Sequence, residues 1–366
     1  MENMGLDKNM MLWMDELKKY SGKKVFVTGC TGFKGSWLCR MLVGLGAKVT
    51  GYALSPDTAP ALYNLADIGH DVDTVIDDIR NIGALNKALK NAKPDIVFHL
   101  AAQPLVLESY QRPRETFEIN VMGTVNLLEA VRNTDSVRSV VNITTDKVYE
   151  NKEWVWGYRE DDALNGYDPY SNSKSCSELV TGSYINSFFR EKYTAVSTVR
   201  AGNVIGGGDF SDNRIIPDCV RAAMEGKKIL VRNPYSVRPY QHVLEPLAAY
   251  LLIGIVQMDR YDVSGAYNIG PDEKSCVTTG ELVKLFCDKW GGDVSWYCSD
   301  SKGAYHEANF LKLDCSKVKS VFDWAPRWDV SDAVGAAVEW TKEWLGGSNV
   351  RDIMDLQIKK YMEKNV

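Results

Sequence analysis

An apolar run, KVFVTG (24–29), leads straight into TGCTGFKGSWL (28–38), where Gly29, Gly32 and Gly35 stand three residues apart before a helix-patterned segment. Glycines at a strand-to-helix turn permit a tight bend and a close backbone approach to a pyrophosphate, whose charge is met by the amides of the helix N-terminus. Three glycines alone are a weak signal. Their position after the first apolar strand and before a helix favours a dinucleotide site over a merely tight turn.

The same grammar continues. Lys34 to Leu45 has helical apolar spacing and KVTGY (48–52) is again strand-like. Further strands are predicted at 73–76, 95–101, 139–144 and 194–200, with helices near 81–90, 113–132 and 170–191. Continuous apolar strands alternating with helices imply a parallel sheet covered on both faces, an α/β fold of the Rossmann-type, doubly wound kind. After Arg200 the pattern changes to a glycine triplet (206–208), shorter strands and many Pro and Asn turns. A second, smaller α/β substrate-binding lobe is therefore expected over 201–366, beside a dinucleotide-binding domain over 1–200. The strongly apolar helix PLAAYLLIGIVQM (246–258) is expected to return to the first lobe.

A chain of 366 residues, 45% hydrophobic, can bury a large core, and two lobes suit that length. Its 43 basic and 48 acidic residues leave a net charge of -5, which removes the general electrostatic case for binding nucleic acid or an anionic membrane. An anionic ligand must therefore meet a local basic cluster. The eight cysteines form no C-x-x-C pair and there are only four histidines, so no metal site is expected and the thiols read as buried and reduced. With no signal-like run and nothing near the ~20 apolar residues of a membrane span, a cytoplasmic protein is expected.

The second strand of such a fold usually ends in an acid for NAD or a basic residue for NADP. Here it runs into GYALSPDT, with Asp57 a few residues late and no Arg or Lys, a lean toward NAD. Asp78 and Ile79, ending the third strand, are placed to meet the adenine. YSNSK (170–174) opens a predicted helix after Pro169, so Tyr170 and Lys174 share a face. The ammonium would favour the ionised phenol, lowering a pKa that starts at about 10. With Thr145 at the end of the preceding strand, they suit proton transfer at a carbinol oxygen while a nicotinamide takes its hydride. His99 is expected to be packed, and Trp154 and Trp156 to pack rather than wall a pocket.

At this point the chain resembles the extended short-chain dehydrogenase/reductase family and, within it, the branch of CDP-glucose 4,6-dehydratases. The resemblance runs in order through TGFKGSWL (31–38), HLAAQPLV (99–106), NVMGT (120–124), TTDKVYEN (144–151), GYDPYSNSK (166–174), RAGNVIGGGD (200–209), RIIPD (214–218) and RPYQHVLEP (238–246). It implies an NAD-dependent lyase in which Tyr170 takes the O4 proton, Asp146 acts as acid to the C6 oxygen and Lys147 as C5 base or electrostatic stabiliser of the enolate. As a base, Lys147 would have to titrate well below the ordinary lysine value of about 10.4.

It further implies a tightly held NAD, regenerated each turnover. Thr31, Phe33, Lys34, Leu100, Ala101, Ala102, Gln103, Asn120, Thr144 and Arg200 would join the glycines, Asp78, Ile79, Tyr170 and Lys174 in holding it. The sugar nucleotide would be met by Gln103, Thr145, Asn203, Arg214, Arg232, Arg238 and His242. A homodimer through the helices near 113–132 and 170–191, and a role in making deoxysugars for surface polysaccharides such as lipopolysaccharide O-antigen, are also implied. The alternatives are another nucleotide-hexose as substrate, an epimerase of the same fold, which would not require Asp146 and Lys147, or a non-catalytic dinucleotide-binding protein.

Overall fold

The computed structural model describes residues 13–298 and 310–363. Seven parallel strands form one sheet: β1 (Lys24–Thr28), β2 (Lys48–Ala53), β3 (Asp73–Ile76), β4 (Ile96–His99), β5 (Ser139–Ile143), β6 (Ala195–Ala201) and β7 (Ala266–Ile269). Their order is β7-β6-β5-β4-β1-β2-β3. The order reverses between β1 and β4, and in open α/β sheets ligands bind at the carboxyl ends of strands flanking such a point.

Strand alternation divides the core. Val25, Val27, Phe98, Val141 and Val199 face one side, where α1 (Phe33–Gly44) contributes Trp37 and Leu38. Phe26, Val97, Val140 and Val196 face the other, against α2 (Ile82–Ala92) and α3 (Gly123–Arg132). α4 (Pro169–Tyr184) packs beside α3 on that second face. The predicted helix 113–132 is present as Pro113–Phe117 and α3, joined by a π turn over Glu118–Met122. α4 likewise runs on through a π turn at Ile185–Phe189.

The helix predicted at 246–258 is α5 (Leu244–Val256), and Leu244 through Ile255 are all buried. A helix apolar on every side belongs inside a core. It lies against β4, β5 and β6, with the Ser139 hydroxyl donating to the Gly254 carbonyl at 2.7 Å. β7 follows it and completes the sheet. Part of the chain beyond β6 builds two-stranded pairings around a separate apolar cluster that includes Ile216, Val231, Leu282 and Val334. The helices Ser316–Phe322 and Val350–Glu363 instead return to β7 and α1, with Val318, Phe322, Ile353 and Met354 in the first core. Among the described residues, no helix is long and apolar enough to cross a membrane.

The thiols are not uniformly buried: Cys30, Cys39, Cys219 and Cys315 are, Cys176, Cys276 and Cys287 are half-buried, and Cys298 is exposed. Trp154 packs on Tyr158 with ring centroids 5.2 Å apart, whereas Trp156 is 70% exposed and packs far less than expected.

Candidate active site

β1 ends in the glycine loop. Gly29 has φ +72°, and a Cβ there would lie 2.7 Å from the Ala101 amide nitrogen; a Cβ on Gly35 would lie 2.0 Å from the Gly29 carbonyl oxygen. Only glycine lets α1 sit this close to the strand and to the end of β4. α1 starts at Phe33 with Gly32 as its N-cap and no side chain bonding its first amides. Those amides are left for an anion.

The cleft above this loop encloses about 1640 Å³ and runs from the ends of β1 to β5 across to the second apolar cluster. That exceeds a usual small-molecule pocket of ~300–1,000 Å³ and leaves room for two extended ligands. At one end lie Thr31, Phe33, Lys34, Asp78, Ile79, Leu100, Ala101 and Ala102. Arg80 engages the Asp78 carboxylate, with its Nη2 at 2.6 Å, and holds its pKa below the usual range. Asp57 also lines this end, with no lysine or arginine between Val49 and Ile79.

In the middle, β5 runs out into a single 3₁₀ turn. Thr145 caps it, accepting from the Lys147 amide at 3.4 Å, while its hydroxyl donates to Asp146 Oδ1 at 3.0 Å. Asp146 lines the cleft yet is only 1% exposed, and its Oδ2 is buried without a hydrogen-bond partner. Burial raises its pKa, with Lys147, Thr145, Arg238 and Lys34 opposing. α4 begins at Pro169, capped by Asp168, which accepts from the Ser171 amide at 2.9 Å and from its hydroxyl at 2.6 Å. This start aims Tyr170 and Lys174 at the turn.

Lys174 Nζ donates to the Ile143 carbonyl at 3.2 Å. Burial lowers its pKa to about 8, with Glu178 opposing. Tyr170 does not have the lowered pKa expected from its sequence. Burial pushes it up to about 12, against the Thr145 hydroxyl and Arg214, because taking the phenolate out of water outweighs nearby cations. His99 is packed as expected, between the hydroxyls of Thr28 (2.8 Å) and Thr124 (3.2 Å).

At the far end, Asn203, Arg214, Arg232 and Arg238 line the cleft. Asp209 holds Arg214 at 3.0 Å, and Arg238 Nη1 donates to the Val237 carbonyl at 2.9 Å. Four residues expected at the site have other surroundings. Arg200 is 3% exposed and ion-paired to Glu178 at 2.9 Å, because its place in β6 turns it under α4. His242 is fully buried between Trp37 and Trp328. Gln103 is occupied locally: its amide donates to Thr116 Oγ1 at 2.9 Å and its Oε1 accepts from the Leu105 amide at 2.6 Å. Asn120, in the π turn, accepts from the Gln103 amide at 2.8 Å and donates to Ser173 at 2.9 Å, so it braces the loop from behind. Glu178 was not singled out by sequence, although its spacing of four from Lys174 on one helix was the available signal.

Residues 26–336 match the GDP-mannose 4,6 dehydratase family. A CDP-glucose 4,6-dehydratase of Salmonella typhimurium is 45% identical over 94% of this chain and 97% of its own length. Among solved structures, UDP-glucose 4-epimerase of Thermotoga maritima with UDP-glucose covers 88% of this chain and 99% of its own, at TM-score 0.76 and 21% identity. dTDP-glucose 4,6-dehydratase of Bacillus anthracis in complex with NAD covers 87% and 96%, at TM-score 0.71 and 23% identity. With this match to the family, and with the glycine loop and the Tyr170–Lys174 helix meeting at the ends of a doubly wound sheet, the chain belongs to the GDP-mannose 4,6 dehydratase family, within the extended short-chain dehydrogenases/reductases.

Proposed function

We propose that this protein is an NAD-dependent lyase that converts CDP-glucose to CDP-4-keto-6-deoxyglucose and water. The observation that carries the reading is Asp146: an acid lining the cleft, sealed from bulk water, with one oxygen unpartnered and its pKa raised by burial. An epimerase needs no such group beside its tyrosine, whereas a dehydratase must protonate a departing hydroxyl. The 45% identical CDP-glucose 4,6-dehydratase supports the nucleotide and the hexose.

The glycine loop fits NAD on its own geometry. A side chain at Gly29 or Gly35 would collide with backbone, the first amides of α1 lack side-chain partners, and the stretch from Val49 to Ile79 that carries Asp57 has no lysine or arginine, which suits a ribose without a phosphate. Bound there, NAD supplies the hydride acceptor for C4 and later the donor for C6. Tyr170 takes the O4 proton as its phenolate, a form that burial opposes and that the Thr145 hydroxyl and Arg214 favour, with Lys174 beside it on the helix. Asp146 gives its proton to the C6 oxygen. Lys147, half-buried in the same turn, takes the C5 proton or stabilises the enolate, and C5 regains a proton once the C6 hydroxyl has left as water.

The cofactor is assigned to residues 1–200 and the nucleotide to 201–366, where Asn203, Arg214, Arg232 and Arg238 offer forked donors to a diphosphate. The protein acts in the cytoplasm, as a homodimer, in the supply of deoxysugars for surface polysaccharides such as O-antigen. Met122 and Leu179, exposed near the helical pair 113–132 and 170–191, suit that contact.

Mass spectrometry of separate incubations with CDP-glucose, dTDP-glucose, UDP-glucose and GDP-mannose, with and without added NAD, tests this reading. Loss of one water from CDP-glucose alone is expected. Water loss from another of the four would replace the nucleotide, and isomerisation without water loss would overturn the lyase.

A further inference from the structure

Behind the reacting turn lies a buried network that the proposed chemistry does not use directly. Glu178, one turn beyond Lys174 on α4, is nearly sealed from solvent, and its carboxylate accepts four hydrogen bonds. Oε1 takes the Thr144 hydroxyl at 2.5 Å and Arg200 Nε at 2.9 Å; Oε2 takes the Thr198 hydroxyl at 2.6 Å and Arg200 Nη2 at 2.9 Å. Arg200 Nη1 continues to the Tyr149 hydroxyl at 2.9 Å and the Glu160 carbonyl at 2.8 Å, and Tyr149 donates to Asn268 Oδ1 at 2.6 Å. The turn carrying Thr145, Asp146 and Lys147 is thus held on both sides, through Thr144 before it and Tyr149 after it. The anchor of both holds is one carboxylate on the helix that also carries Tyr170 and Lys174.

We propose that Glu178 is the positioning residue of this site: it fixes the Thr145–Lys147 turn against α4 and stands one helical turn from Lys174 as its buried counter-charge. A buried charge with this many donors is geometrically committed, since breaking any member leaves polar groups unsatisfied. Its negative charge is also the influence that opposes burial at Lys174. The other groups facing Lys174 do not replace it. Lys34 on α1 repels it, and His99 on β4 is held neutral with its pKa near 3. Arg200 is itself ion-paired to Glu178 at 2.9 Å.

The inference rests on Lys174 acting as an ammonium beside Tyr170, so its test is read without turnover as well as with it. In protein labelled with 13C at the lysine ε-carbon, the Lys174 resonance is assigned by its absence in Lys174→Met and titrated. Glu178→Gln should lower its midpoint by about one pH unit or more, because the charged form loses its partner. Glu178→Gln combined with Arg200→Met, which leaves no buried charge unpaired, should give the same shift. Glu178→Asp should restore most of the midpoint.

Thr144→Val keeps every charge and reads the geometric half. It should lower kcat about 10- to 100-fold with KM for the sugar nucleotide little changed, as expected for a small misplacement of reacting groups. An unchanged Lys174 midpoint in the folded double variant would overturn the electrostatic role. An unchanged kcat in Thr144→Val would overturn the positioning role. If inactivity on every sugar nucleotide showed the proposed reaction to be wrong, the titration would still decide what Glu178 does to Lys174.

Discussion

Thr145 donates its hydroxyl to one oxygen of Asp146 at 3.0 Å and leaves the other oxygen, Oδ2, buried and unpartnered beside Gly202. A Cβ at position 202 would lie 3.1 Å from that oxygen. Glycine therefore keeps the space beside that oxygen open.

Asp146→Asn removes the proton donor but keeps the Thr145 contact. Oxidation at C4 should still proceed on mixing with CDP-glucose, so the near-ultraviolet absorbance of reduced nicotinamide should rise and persist. Water loss should slow by about 10²- to 10⁴-fold, the usual worth of a positioned acid. Stopped-flow absorbance with mass spectrometry of the quenched product checks both. Loss of the absorbance rise as well would place Asp146 in the first step instead.

The same carboxylate should carry a cost in stability. Its folded pKa lies above its unfolded value because burial disfavours the charged form. The penalty is present above the folded pKa and is relieved as pH falls toward the unfolded value near 3.9. Asp146→Asn should therefore melt higher than the wild type at neutral pH, with the gap narrowing in acid. Thermal denaturation across that range measures it, and a lower melting temperature at neutral pH would contradict the assignment of burial as the dominant influence.

The sheet was legible because its strands are short, apolar and spaced by helical patterns, and α5 because Pro246 to Ile255 give it no charged face. β7 was not, since four residues, AYNI, acquire strand character only from pairing with β6 across the intervening helix. Arg200 was assigned to the cleft through its motif, but side chains alternate along a strand. Arg200 shares the face of Thr198 and both reach Glu178, while Val199 enters the opposite core. Residue type revealed the chemistry available, and strand parity decided which side received it. His242 is kept from the cleft by packing, its fully buried ring closed in by Trp37 and Trp328.

Arg200 and Arg238 should consequently respond differently to removal of charge. Arg238→Met, at the cleft, should raise KM for the sugar nucleotide about 10- to 100-fold, the worth of one charge-assisted hydrogen bond, with a smaller change in melting temperature. Arg200→Met should destabilise the fold by about 3–5 kcal/mol, because Glu178 is left buried without its partner. Steady-state kinetics beside chemical denaturation separates the two. A KM effect from Arg200→Met without loss of stability would return that residue to the binding surface.

The basic limb of the pH profile should identify the ammonium that matters. Lys174 and Lys34 are both lowered to about 8 by burial, Lys34 further by Arg214 and Lys174. For a cation whose folded pKa is depressed, the charged form exists below that value and is lost above it. kcat/KM, which reports the free enzyme, should therefore fall as pH rises through about 8. Lys174→Arg keeps its charge throughout this range and should remove the limb, at a lower rate because the guanidinium cannot reproduce the contact to the Ile143 carbonyl. A limb that persists unchanged in Lys174→Arg but vanishes in Lys34→Arg would assign the titration to the glycine loop. The charge that the reaction requires would then sit on α1 rather than beside Tyr170.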